Sequence, residues 1–519
     1  MKIQRTKNAA RNIAFDGLLK LFTMLVPFLL RRVMLQQLGA GYLGLSGLFR
    51  SVLSFLNLAE LGVGSAMVYS MYRPIASGDT ASIRALLRLY RGFCRVIGLV
   101  IAAAGLALTP FLPALVKGDV PPGIDLYILY YMNLGSTVLT YWCFAYKGCL
   151  LTAHQRVDVA SRIKLGVSLA EYALKFAALI WFRNFYLYLL IQLLAQITGN
   201  LVTAYFVGKL FPEYSPEGRL PREQVSDISR HVRDFFTAKF SHVISESADT
   251  VVVSAFLGLT VLAVYQNYFY VIVSLRGFLE VAVTACIAGV GNSLVTESKK
   301  KNYRDLRRYS LLFNWVMGVS TPMLLCLYQP FMEMWMGRKS LLPPGYVICF
   351  AVYYYTVGMN KILNMFKDAA GIWHRDRFRP LTAAVVNLSL NLLTVRKFGL
   401  YGVLLSTVVS MAAVQIPWLL HNLFSEIYPR ENLREYVREL CLPAALTLLS
   451  CVIAWFICSR VDGRLRERLL ICGAVSFAVP SLLFCLVLGR NKLLRKTVIQ
   501  LWRTLMPGQG GEDDTVQDK

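Results

Sequence analysis

Charge is scarce in this chain. Of 519 residues only 16% are Asp, Glu, Lys or Arg, while 56% are hydrophobic and the mean hydropathy is +0.50. A soluble chain of this length does not have that balance. Catalytic signatures are missing as well. There is no GxxxxGK phosphate loop followed by Ser or Thr, no HExxH zinc motif and no GxSxG elbow, and no polar stretch is long enough to fold as a catalytic domain. Energy from ATP hydrolysis on this chain is thereby excluded, and no cofactor is expected. The eleven cysteines contain no CxxC pair; they read as small apolar packing residues rather than a disulfide framework or a metal site.

What the sequence does have is a recurrent apolar run. A bilayer core of about 30 Å takes about 20 predominantly apolar residues per helix. Runs of that kind fall near residues 12–35, 42–70, 88–113, 125–150, 163–182 and 186–210, then 236–258, 260–295, 309–335, 345–366, 381–395 and 400–424, with a last pair near 438–459 and 468–488. The expected fold is an all-α polytopic membrane protein with about fourteen transmembrane helices. Its parts are a six-helix lobe over 1–210, a cytoplasmic connector over 211–235, a second six-helix lobe over 236–424, a helix pair over 425–488, and a tail over 489–519 in which a basic amphipathic stretch, 490–505, precedes a disordered acidic end.

The 55 basic against 30 acidic residues would suggest nucleic acid in a soluble protein. Here their placement argues for lipid instead, and no nucleic-acid partner is expected. With the N-terminus inside, the cytoplasmic segments hold about 35 Lys and Arg and the outer loops about 12. The basic start before the first run, with no small-residue cleavage site after it, reads as a retained signal anchor.

Three landmarks recur between the lobes. Gly62-Val63-Gly64-Ser65 is matched by Gly289-Val290-Gly291-Asn292, 227 residues on; each is followed by a basic segment and another helix; and Ala153-His154-Gln155-Arg156 is matched by Trp373-His374-Arg375-Asp376, 220 residues on. An even number of spans separates the copies, which implies a parallel repeat.

Ionisable groups at membrane depth are costly and should face a cavity or a partner. On helix one, Asp16, Lys20, Pro27 and Arg31 share a face at 100° per residue. On helix two the stripe is Ser46, Arg50, Asn57 and Glu60. Lys239, His242, Glu246 and Asp249 share a face of helix seven, and Arg276 and Glu280 are one turn apart on helix eight. Such stripes are expected if these helices line a central cavity between the lobes. Equally, Asp16/Lys20, Glu171/Lys175 and Arg276/Glu280 are i,i+4 pairs that neutralise each other between packed helices. The deep positions lean cationic, which suits an anionic cargo such as a pyrophosphate. Candidates for holding it are Arg31, Arg50, Lys239, Arg276 and Lys361; candidates for ion coupling are Glu60, His242, Glu246 and Asp249. His154 and His374 are expected to meet only water or lipid headgroups.

Several long segments carry a resemblance: PFLLR from Pro27, LGAGYLGLSGLF from Leu38, NLAELGVGSAM from Asn57, YKGCLLTAHQR from Tyr146, SADTVVVSAFLGL from Ser247 and KDAAGIWHRDRFRPL from Lys367. The chain resembles the polysaccharide transport branch, the Wzx-like flippases, of the multidrug/oligosaccharidyl-lipid/polysaccharide (MOP) exporter superfamily. That resemblance implies two six-helix lobes in a MATE-like V with an added C-terminal helix pair, in the bacterial cytoplasmic membrane. It also implies movement of a polyprenyl-pyrophosphate oligosaccharide from inner to outer leaflet by alternating access, for cell-surface polysaccharide biosynthesis. Membrane lipids, a polysaccharide polymerase and glycosyltransferases are the partners it brings, and Arg31 matches the arginine closing the lead helix of such proteins. Alternatives are a cation-coupled multidrug exporter of the MATE type, a peptidoglycan-precursor flippase and a membrane glycan polymerase or ligase.

Overall fold

In a bilayer every backbone polar group must be satisfied within the protein, so a chain this apolar folds as helices. The computed structural model describes residues 5–489 except 61, 119 and 374, and side chains throughout these except at 5–16, 58–59, 230–231 and 233–246. The sequence reading of an amphipathic tail and acidic end, at 490–519, lies outside the described residues, as does His374.

Among the described residues seventeen α-helices follow one another. They are α1 (Arg5–Gln37), α2 (Ala40–Leu56), α3 (Val63–Ser77), α4 (Thr80–Leu108), α5 (Leu126–Trp142), α6 (Gly148–Ala153), α7 (Val157–Ala177), α8 (Phe185–Leu210), α9 (Arg222–Leu257), α10 (Leu259–Thr296), α11 (Lys299–Met336), α12 (Pro344–Ala370), α13 (Arg379–Phe398), α14 (Leu400–Ser410), α15 (Ile416–Glu426), α16 (Leu433–Cys458) and α17 (Leu465–Leu488). Each apolar run read from the sequence contains a helix. Among the described residues, eight helical segments pass as membrane-crossing by length and composition, from Thr80–Leu115 to Leu465–Leu488. The protein is a multi-pass membrane protein. Several of the remaining runs fall short for visible reasons. Run two is interrupted, α2 and α5 have 17 residues each, and α9 carries the polar face.

Helix starts are set by short polar side chains that accept from backbone N–H groups left open in the first turn. Asp79 accepts from Ser82, Asp125 from Tyr127 and Ile128, Asn184 from Leu187, and Ser298 from Lys301. The hydrophilic segment after Leu210 is irregular only as far as Pro221, and α9 begins at Arg222. Run two breaks after Leu56 into a 3-10 turn over Asn57–Glu60. Gly62, at φ 93°, then makes the left-handed step that admits glycine readily. The matching Gly289-Val290-Gly291 lies inside the unbroken α10, so the two sequence landmarks have different local structures.

Contacts group the chain into two compact units, 1–270 with 380–406, and 271–379 with 407–519. In the first, α1 packs on α7, α4 on α3 and α5, α5 on α8, and α2 on α9. Gly44 of α2 faces the backbone of Leu259, where a Cβ would lie 2.3 Å from the carbonyl oxygen. In the second unit α11 packs against α12, α16 and α17. That enclosure makes it the most buried of the membrane-crossing candidates, 56% of its apolar window against 39% or less for the others. Cys326, Cys458 and Cys472 pack with Ala454 there as small apolar side chains.

Candidate functional site

Helix α1 carries Pro27 one turn before Arg31. Proline has no N–H for the carbonyl four residues back and loosens the helix around it. Just before that point the Met24 carbonyl accepts a bond from the Tyr270 hydroxyl at 2.9 Å, and Phe28 meets the Tyr270 ring edge-on with centroids 4.8 Å apart. Tyr270 is thus fixed against α1 beside Arg31.

Arg31 donates from Nε to Asn267 Oδ1 at 2.8 Å, and its guanidinium lies 5.5 Å from the centre of the Tyr270 ring. Asn267 is fully buried. The second terminal nitrogen of Arg31, Nη2, is buried and has no hydrogen-bond partner. Among the described residues no carboxylate pairs with it. The charge that acts on it most strongly is another cation, Arg50 of α2. Arg50 also lies within electrostatic reach of Tyr172 and Tyr270, and it has no ion-pair partner among the described residues.

Close by in the same set of aromatic residues the charges are paired. Buried Lys175 donates to Glu171 at 2.6 Å and to Gln192 at 3.0 Å, and sits 4.6 Å above the Tyr188 ring. This is the mutual neutralisation that i,i+4 spacing allows. What is left over is positive charge on two arginines, one with an unused buried donor. Chemically, such a pair with tyrosine and amide neighbours binds an anion through charge-assisted hydrogen bonds.

The other sequence candidates are dispersed. Lys361 is ion-paired with Glu280 at 2.6 Å, and Arg276 is half-buried on α10. Asp249 is buried and accepts from Asn391 at 2.6 Å, with Asn387 within 3.5 Å of the same amide. The Asn391 carbonyl oxygen is buried and unused. This oxygen-rich set has the donor type that hard cations take. The side chains of Lys239, His242 and Glu246 lie outside the described residues. Glu60 follows the break in run two, accepts a bond from the Tyr141 hydroxyl, and lines a cavity of about 660 Å³. His154 does not simply face water or lipid: its ring stacks on Phe211 at 4.4 Å and on Tyr214 at 5.6 Å.

No family model and no curated protein matches the sequence. Solved structures do match in shape. The structure described as lipid II flippase MurJ, inward closed conformation, superposes with TM-score 0.70 at 13% identity over 94% of this chain and all of that one. An inward-facing MATE multidrug transporter of the MOP superfamily gives 0.56 at 14% identity over 81% of this chain and 99% of that one. A MOP superfamily transporter from Pyrococcus furiosus, described as having a binding pocket of reverse polarity, gives 0.56 at 16% identity over 83% and 96%. The fold is that of the MurJ and MATE transporters. At such identities fold is what is shared, and the chemistry of this chain has to come from its own side chains.

Charge alone pointed to Arg31, Arg50 and Glu60. The neutral groups that give these residues their setting, Asn267, Tyr270, Tyr188 and Tyr141, do not stand out in the sequence, because an uncharged side chain in an apolar run carries no sign of its partner. Tyr69 and Tyr72, three apart before a basic segment, form a pair whose spacing is visible in the sequence.

Proposed function

We propose that this protein is a flippase, without enzymatic activity, that carries a polyprenyl-pyrophosphate-linked oligosaccharide across the bacterial cytoplasmic membrane by alternating access. The observation that carries this reading is the pair Arg31 and Arg50, which among the described residues has no carboxylate partner and includes a buried guanidinium nitrogen without a hydrogen bond. A cationic drug would be repelled there, whereas a pyrophosphate supplies the acceptors the site lacks. Lipid II, named for one structural neighbour, belongs to the same chemical class of cargo. The lipid tail stays in hydrocarbon throughout, so what must be offset is desolvation of phosphate and sugar. Ion coupling is assigned to buried Asp249 with Asn391, together with His242 and Glu246 of the same helix.

The test is headgroup accessibility in vesicles reconstituted with the purified chain, using a lipid-linked oligosaccharide loaded in the inner leaflet. Replacing Arg31 by Ala removes one or two charge-assisted bonds, each worth about 1.5 to 3 kcal/mol, and loosens binding of polyprenyl pyrophosphate at least tenfold or so. Arg31→Glu abolishes transfer. Unchanged transfer in Arg31→Glu removes Arg31 from the cargo path and the reading with it.

A further inference from the structure

The cavity beside Glu60 differs in kind from the arginine pair. Its wall includes Glu60, Ser65, Tyr69, Tyr72, Tyr90 and Thr152, and its volume of about 660 Å³ falls in the range of about 300 to 1,000 Å³ typical of small-molecule sites. Among the described residues no lysine or arginine lines it. Tyr69 and Tyr72 stand edge to face with centroids 6.4 Å apart and are 61% and 47% exposed. The Tyr90 hydroxyl has room because position 64 is glycine, where a Cβ would lie 3.1 Å from it. Glu60 Oε2 accepts from Tyr141, while Oε1 has no partner among the described residues.

Exposed aromatic faces with a rim of hydroxyls and one available carboxylate oxygen match a pyranose, whose C–H faces are apolar and whose edge is a ring of hydroxyl donors. A phosphate would meet the Glu60 carboxylate there and no cation among the described residues. Glu60 comes ten residues after Arg50, six of them in α2 and four in the 3-10 turn, about 17 Å along the axis, a span that an oligosaccharide covers and a bare pyrophosphate does not. We infer that this cavity is a saccharide subsite, seating the sugars of the cargo while Arg31 and Arg50 hold its pyrophosphate. The inference rests on the flippase reading above and adds to it the place where the sugar is recognised.

Two probes separate the parts: polyprenyl pyrophosphate without sugar, and the same lipid bearing a disaccharide that contains N-acetylglucosamine. Their affinities are measured on the full chain in nanodiscs. The sugar-bearing lipid binds about tenfold tighter, the factor that about 1.4 kcal/mol of ring contact gives. The advantage disappears in the double variant Tyr69→Ala, Tyr72→Ala. It persists in Tyr69→Phe, Tyr72→Phe, which keeps the rings, and in Glu60→Gln, whose amide still accepts a hydroxyl. Equal affinity of the wild type for both lipids overturns the subsite. So does an advantage that survives in the double alanine variant when the phenylalanine pair shows the protein folded. Displacement of the sugar-bearing lipid by a tetraalkylammonium ion, abolished by Glu60→Gln, overturns it too and makes the cavity a cation site. In each of these cases loss of bare-lipid affinity in Arg31→Ala leaves the flippase reading standing, and its absence removes that reading separately.

Discussion

Removing Asp376 should be among the most damaging single changes in the second unit. Its carboxylate accepts from Arg379 at both Nε (2.6 Å) and Nη2 (2.7 Å) and from Asn422 at 3.0 Å, and Lys367 Nζ lies 3.5 Å away. Asp376 and Arg379 are 3% and 2% exposed, so water cannot replace what is lost. Arg379 in turn donates to Asn364 at 2.8 Å, and Asn360 donates to Gln415 at 2.8 Å, which ties α12, the start of α13 and the helix leading into α15 into one network. Taking one partner from a buried bidentate pair strands the other charge, at a cost of about 3 to 5 kcal/mol. Asp376→Leu should carry that cost in full, because Arg379 then faces only amides. Lys367 suffers less, since it keeps Asp368 at 2.8 Å and the Trp373 ring at 4.2 Å. With Arg379→Met added, the stranded cation goes as well and most of the cost returns. Unfolding in detergent is followed by tryptophan emission at a fixed heating rate, because unfolding of such chains is often irreversible and only like-for-like rates compare. The double variant should unfold at a higher temperature than Asp376→Leu alone, and the cycle should give a coupling near the upper end of the range of about 0.5 to 3 kcal/mol known for contacting residues. Additive losses, or an Asp376→Leu single variant as stable as the wild type, would refute the account of the network as one electrostatic unit.

Two further outcomes follow from packing and protonation. Gly44→Val drives a Cβ to within 2.3 Å of the Leu259 carbonyl oxygen and costs about 1 to 3 kcal/mol as overpacking, whereas Gly92→Ala on α4, with nothing within 4 Å of a new Cβ, is neutral or stabilising; equal melting temperatures for the two variants would contradict the close approach. Burial holds the His154 imidazole below its ordinary value of 6.5, against a smaller opposing pull from Glu213, so the unfolded chain takes up this proton first, and stability present above about pH 6.5 is lost as pH falls through the depressed value. His154→Phe keeps the stack on Phe211 and should flatten the fall in thermal stability between pH 7 and 5; an unchanged pH profile would show that His154 carries none of it.

The helices were legible because hydrocarbon thickness imposes one length and one composition on all of them, and that signal is read directly from apolar runs. The break at Asn57–Glu60 was less so. Gly62 and Gly64 marked it, yet Gly289 and Gly291 carry the same spacing inside a continuous helix, and only packing decides between the two outcomes. At the site, Arg31 and Arg50 stood out because charge in an apolar run is conspicuous. Asn267 and Tyr270 did not, because a neutral residue acquires its role from a partner 236 positions away, as Arg31 and Asn267 are. Lys361 shows the reverse case. It looked like a cargo contact by depth alone, and the Glu280 side chain 81 positions earlier meets it.

Where charge stays paired and where it does not is therefore the informative contrast. Lys175 has Glu171, Lys361 has Glu280, Arg379 has Asp376, and Arg307 has Glu435 and Glu439. Each pair cancels a burden that hydrocarbon would otherwise impose, about 2.5 to 3.5 kcal/mol per charged residue at a helix centre. Among the described residues Arg31 and Arg50 have no carboxylate partner, and Arg50 acts on Arg31 as a like charge. Two cations left together in this way lack an acceptor, one that on the proposed reading carries about twice the charge of a carboxylate. A pyrophosphate has that charge. On the flippase reading proposed above, the same charge would also set the direction of transport. With the inside negative, outward movement of a headgroup bearing about two negative charges is favoured by about 2.3 kcal/mol per charge per 100 mV, so the arginines need only lower the barrier for a movement the membrane potential already drives.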